Sequence, residues 1–112
     1  LAAGMLTGKY RGGARPAGCR HTMFAEAGAR YRKPIVQEAI EAYAALAERH
    51  GITLVQLALG YVRSRWHLGA AIIGATSMAQ LREDIAAAQF VLDAATLVEI
   101  ADLQLRYPNP AT

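Results

Sequence analysis

The sequence predicts an α/β chain, mostly helical, with one clear strand, and three observations carry that expectation. Ile72 and Ile73 are β-branched, follow the small residues Ala70 and Ala71, and give way to Gly74 and Ala75. This is the pattern of a short buried strand leaving into a turn. Ser77 with Gln80, and Thr53 with Gln56, have the capping-box spacing. There a hydroxyl and an amide satisfy the free backbone N–H groups at a helix start. Finally, apolar residues recur at steps of three and four through most of the chain after residue 34, which gives each helix one apolar face.

Length and composition narrow the classes. The chain has 112 residues, 54% of them hydrophobic, which suits one domain or part of one and argues against disorder throughout. Charged residues interrupt every apolar segment, so no membrane span is expected. Gly4, Gly8 and Lys9 break the first ten residues and exclude a signal-peptide core. Cys19 is the only cysteine, which rules out a disulfide framework and favours a cytoplasmic origin. His21, His50 and His67 are scattered without metal-ligand spacing. The net charge is +3, but Arg11, Arg15, Arg20, Arg30, Arg32 and Lys33 crowd the first third, where Glu26 is the only acid. Such a basic stretch serves a phosphate-bearing ligand, nucleic acid or solubility.

Taken in order, residues 1–10 are small and apolar before turning polar, and Gly4 and Gly8 permit a tight path. Lys9 then either faces a phosphate or is simply solvated. Residues 11–33 hold no sustained period and are punctuated by Gly12, Gly13, Pro16, Gly18 and Gly28. A loop that long is commonly functional or mobile. Arg20 lies in it, and its planar fork suits a phosphate, although solvated arginine is the usual outcome. Pro34 suits a first helical position, and Ala39, Ile40, Tyr43, Leu46 and Ala47 form a face that ends at Gly51. Leu54, Leu57, Ala58, Tyr61 and Val62 continue in a second, mostly buried helix, with Trp66 and His67 at its exit.

After the strand at 69–74, a helix over 77–89 presents Met78, Leu81, Ile85 and Ala88 on one side. A strand, a glycine turn and a helix start together can receive an anion, and they equally describe an ordinary well-capped βα turn. Asp93 caps the last helix, with Leu97, Ile100, Ala101 and Leu103 apolar, and Pro108 and Pro110 stop it. One strand alone cannot satisfy its backbone groups when buried. With a chain that opens on Leu1 rather than Met, this reads as part of a longer protein.

These segments together resemble the C-terminal part of an aldo-keto reductase, in the branch that includes Tas-like bacterial oxidoreductases and potassium-channel β subunits. LAAGMLTGKY resembles the segment after barrel strand seven, and ARPAGCRHTMFAEAGARY the loop that follows. HGITLVQLALGYVRSR resembles the helices leading to strand eight, and IIGATSMAQLRED the signature G-A-S/T-x-x-x-Q-L-x-E-N. The resemblance covers essentially the whole chain. It implies the C-terminal portion of a (β/α)8 TIM barrel, whose ligands lie on loops at the C-terminal face. The implied parts are 1–10, the end of strand seven and its turn; 11–33, a cofactor loop; 34–66, a helix pair; 69–89, strand eight and its helix; and 93–106, the C-terminal helix. One βα unit and a remnant of another do not close a barrel from one copy.

The implied cofactor is NADP(H), bound without a Rossmann fingerprint. By the same resemblance Leu1, Ala2, Ala3 and Lys9 lie along the pyrophosphate and ribose, and Arg20 and Thr76 hold the 2′-phosphate. Gly74, Gln80, Glu83 and Asp84 frame the adenosine end. Asp84 stands where the family usually has Asn, and it accepts but does not donate. Gly18 stands where the channel-subunit branch has a tyrosine. The family's catalytic Asp, Tyr, Lys and His belong to its N-terminal half, so no catalytic residue is assigned here.

The implied function is the NADP(H)-binding part of an oxidoreductase that reduces aldehydes and ketones. The carbonyl substrate is met by the missing part, and the segment alone is inactive. A non-catalytic NADP(H)- or partner-binding module is the alternative, and a homo-oligomer stays open. Nucleic-acid binding by the basic 11–33 stretch lacks the interleaved aromatics it would use.

Overall fold

The computed structural model describes residues 1–24 and 26–112, so Ala25, inside the 11–33 stretch, lies outside the described residues. Among the described residues five α-helices follow one another: α1 (Arg20–Met23), α2 (Pro34–Arg49), α3 (Leu54–Arg63), α4 (Met78–Ala88) and α5 (Ala94–Arg106). Three short 3-10 segments, Ala2–Thr7, Arg11–Gly13 and Ala29–Arg32, occupy the first third. The long loop is thus built of brief helical turns.

Local sequence sets most helix ends. Pro34 opens α2. Its exit is a left-handed Gly51 at φ 64°, with Gly51 N–H donating to Glu48 O at 3.1 Å and Ile52 N–H to Ala47 O at 3.0 Å. Those two bonds satisfy the last carbonyls, and only glycine takes that φ without a steric cost. At α3 the capping box forms in full: Gln56 N–H donates to Thr53 Oγ1 at 3.0 Å and Thr53 N–H to Gln56 Oε1 at 2.8 Å. Asp93 accepts from Thr96 N–H at 2.7 Å and opens α5.

Packing centres on α3. Leu57 joins Leu46 and Ala47 of α2, Leu92, and Ile100 of α5 in the main core. On another side of α3, Val55 and Leu59 pack with Ala87 of α4 and with Leu1. Gly60 lets the connection from α4 to α5 come close, since a Cβ there would stand 3.0 Å from Leu92 Cγ. A third cluster, Met5, Tyr10, Val36 and Ile40, holds the first ten residues on α2. Polar contacts tie α2 to α5. Arg49 donates to Glu99 at 2.5 Å, and His50 Nε2 lies 2.7 Å from the same carboxylate. His50 Nδ1 stands 3.1 Å from the buried Thr96 hydroxyl.

Two expectations are corrected. No strand forms among the described residues, and from Gly69 to Ala75 no backbone N–H finds a carbonyl partner. Ile72 is 100% exposed. A strand exists only as half of a ladder, and no other described segment of this chain lies alongside 69–74 to complete one. The second correction is the facing of α4. Met78 and Ile85 are 60% and 52% exposed, whereas Asp84 and Ala87 are buried. The helix docks on α3 through its small residue Ala87, Leu81 is half-buried, and Met78 and Ile85 remain exposed.

Leu46→Ala should lower unfolding stability by about 2–5 kcal/mol. In urea titration this appears as a lower midpoint with an unchanged slope. The hydrogen bonds from Arg49, then His50, hold the Glu99 carboxylate below its ordinary range. Because the folded state binds its proton less readily, this contribution is present above the ordinary carboxylate value and is lost as pH falls through the lowered one. Thermal melts should therefore show wild type above Glu99→Gln at neutral pH, with the gap closing in acid.

Candidate cofactor site

The candidate residues fall into two groups. The first is the Leu1–Lys9 turn with the loop around Arg20. Leu1 O accepts from Gly4 N–H at 3.0 Å and Leu6 N–H at 3.3 Å, which coils the chain tightly. Ala2, Ala3 and Gly4 then sit at φ 48°, 55° and 92°. For alanine that left-handed geometry costs about 1–2 kcal/mol per residue, and such strain gathers at ligand-binding turns. Thr7 Oγ1 donates to Gly4 O at 2.8 Å and steadies the coil. The Lys9 stem covers Gly4, where a Cβ would stand 3.1 Å from Lys9 Cε, and its ammonium lies 5.2 Å from the centre of the Tyr10 ring.

Arg20 opens α1 and is exposed, and its guanidinium has no hydrogen-bond or ion-pair partner among the described residues. Arg11 contrasts with it. Its guanidinium bonds Glu41 at 2.7 Å and Glu48 at 3.0 Å, and the two carboxylates keep it firmly charged. Arg11 is therefore committed to tying its turn to α2, whereas Arg20 keeps its donors.

The second group lies at the start of α4. Ser77 Oγ accepts from Gln80 N–H at 3.3 Å, as the capping box requires. The other half differs from the expected box. Gln80 Oε1 accepts from Thr76 N–H at 2.9 Å and from the Thr76 hydroxyl at 3.1 Å, one residue before the cap. Thr76 can therefore donate to an external phosphate only after releasing Gln80. The amides of Met78 and Ala79 have no acceptor among the described residues and lie at the positive end of the helix. A Cβ on Gly74 would meet nothing within 4 Å, so nothing in the described chain explains its smallness.

Glu83 is exposed. Asp84 is only 4% exposed and lines a cavity beneath residues 68–73 with Leu59, Val62, Arg63 and Ile85. Sequential acids on one helix thus face different surroundings. Leu1 packs against the cluster of Val55, Leu59 and Ala87, by which α3 also holds α4.

Three participants were not legible in the sequence. His21 ties the loop to the first turn, the Tyr10 hydroxyl accepts from His21 N–H at 3.4 Å, and Gly28 makes room for the His21 ring. The Thr22 hydroxyl is buried without a partner among the described residues. No spacing rule brings residues 3, 10, 21 and 28 together. Among the described residues no group of three His, Cys, Asp or Glu side chains could hold a metal ion, and no helix is long and apolar enough to cross a membrane.

Each group carries donors of the kind a phosphorylated ligand uses: Lys9 and Arg20, without a carboxylate partner among the described residues, in the first, and the amides of Met78 and Ala79 in the second. The sequence model of the Aldo/keto reductase family matches residues 1–104, and the chain belongs to that family. It is 40% identical over 111 residues to protein Tas of Escherichia coli, covering 99% of this chain and 32% of that protein. It is 31% identical over 93 residues to a probable voltage-gated potassium channel subunit beta of Arabidopsis thaliana, covering 81% of this chain and 28% of that protein. The chain thus spans about a third of the length of the curated relatives it matches.

Proposed function

We propose that this chain is the C-terminal, NADP(H)-binding part of an aldo-keto reductase that reduces aldehydes or ketones, acting in the cytoplasm. The observation that carries the reading is Arg20. It is an exposed guanidinium with its donors uncommitted, in a basic loop tied to a strained turn, in a chain of this family. NADPH supplies the hydride when bound. The residues here bind and orient its adenosine and pyrophosphate end. Lys9 and the Leu1–Ala3 turn serve the pyrophosphate and ribose, and Arg20 and Thr76 the 2′-phosphate. Gly74 admits the ligand close to the backbone, and Gln80, Glu83 and Asp84 frame the adenosine, with Asp84 reached from the α3 side. The carbonyl substrate and the acid–base residues belong to the remainder of such a protein, so the 112 residues alone are inactive.

A second reading is a non-catalytic module that holds NADP(H) while contacting a partner chain, another copy included. The uncovered Met78 and Ile85 on α4, and the relative named as a channel subunit, favour it. Turnover of NADPH with a panel of aldehydes by the full-length protein separates the two. Oxidation of the cofactor supports the enzyme, and binding without turnover supports the module.

In that full-length protein, Arg20→Ala should weaken NADPH by roughly 1.5–3 kcal/mol, the worth of a hydrogen bond to a charged group. NADH, which lacks the 2′-phosphate, should bind nearly unchanged in calorimetric titration. Equal losses for both cofactors would remove Arg20 from the 2′-phosphate role.

A further inference from the structure

The His21 side chain is wedged between two segments distant in sequence. Its Nε2 lies 3.1 Å from Ala3 O, in the strained first turn, and its Nδ1 faces Ala27 O, on the far limb of its own loop. Its backbone N–H donates to the Tyr10 hydroxyl at 3.4 Å. The ring meets Tyr10 edge-on at 4.8 Å and Tyr31 at 6.1 Å between centroids. Space for it exists only because residue 28 is glycine, since a Cβ there would come within 2.1 Å of His21 Cε1. Gly28 also sits at φ 93°, which independently favours glycine.

We propose that His21 is a positioning residue that pins the basic loop to the Leu1–Lys9 turn and so sets where the adjacent Arg20 guanidinium stands. It touches no ligand itself. Its two ring nitrogens face Ala3 O of the strained turn and Ala27 O of the loop, the ring fills the space between them, and Arg20 immediately precedes it on the same helical turn. Discrimination between NADPH and NADH therefore depends on His21 as well as on Arg20. This rests on the 2′-phosphate role given to Arg20 above.

Two experiments test it. In the full-length protein free of cofactor, trypsin should cut after Arg20 several-fold faster in His21→Phe than in wild type, with cleavage after Arg49 in α2 unchanged. Phenylalanine keeps the ring packing and removes both ring nitrogens. Equal cleavage after Arg20 in the two proteins overturns the pin.

In the full-length protein, His21→Phe and Gly28→Ala should each lower the NADPH-to-NADH affinity ratio about tenfold, the size of one misplaced charge-assisted contact. His21→Gln, which retains a donor, should recover part of it. His21→Phe added to Arg20→Ala should cost less than the sum of the two, because both act through one contact.

If Arg20→Ala changes the ratio and His21→Phe and Gly28→Ala do not, the positioning role is wrong and the cofactor reading stands. If Arg20→Ala leaves the ratio unchanged, the cofactor reading of Arg20 fails, and the protease result alone decides whether His21 pins the loop. A uniform loss for both cofactors means His21 supports the fold only and overturns the inference. Should His21→Phe not fold, Gly28→Ala and His21→Gln carry the same comparisons.

Discussion

The packing of α3 from two sides is the constraint on which the rest of the structure depends. Leu57 reaches the core shared with α2 and α5, while Val55 and Leu59 reach α4 and Leu1. A helix buried on opposite sides is apolar through most of its turns, and VQLALGYV has that composition. The site follows from the same arrangement. Its first turn is anchored by Leu1 on α3, and its second group begins the helix that α3 holds through Ala87.

Charge is divided between holding the fold and remaining available. Arg11 and Arg49 are spent on Glu41, Glu48 and Glu99, and so fasten the first third and the last helix to α2. These pairs are exposed, so each contributes little to stability beyond orienting its segment. Arg20 is left without a carboxylate. The net charge of the sequence does not reveal that division, because it depends on which glutamates the packing of α2 brings within reach.

What is left unsatisfied is equally structured. From Gly69 to Ala75 the backbone has no hydrogen-bond partner among the described residues, and Ile72, Met78 and Ile85 are exposed. Backbone groups and β-branched side chains of this kind are stable when paired and covered.

The sequence by itself determined the helices α2 to α5, most of their caps and the family. Thr53 with Gln56, Asp93 with Thr96, and Gly51 after α2 act across three to five residues, so their hydrogen bonds are fixed before any distant segment arrives. The signature from Gly74 to Asp84 likewise lies within one turn and one helix. Only the tertiary structure decided the rest. The apolar stripe Met78–Leu81–Ile85–Ala88 promised one buried face, but α3 presents a close surface that accepts Ala87, and the stripe stays largely outside. The strand at 69–74 needed a neighbour that no local pattern supplies. His21, Ala3, Ala27 and Gly28 meet because a strained turn and a loop fold onto each other, which is a matter of chain path rather than of spacing. Local hydrogen bonds are written in neighbouring residues, whereas burial and ladder pairing are settled by which surfaces the whole chain brings together.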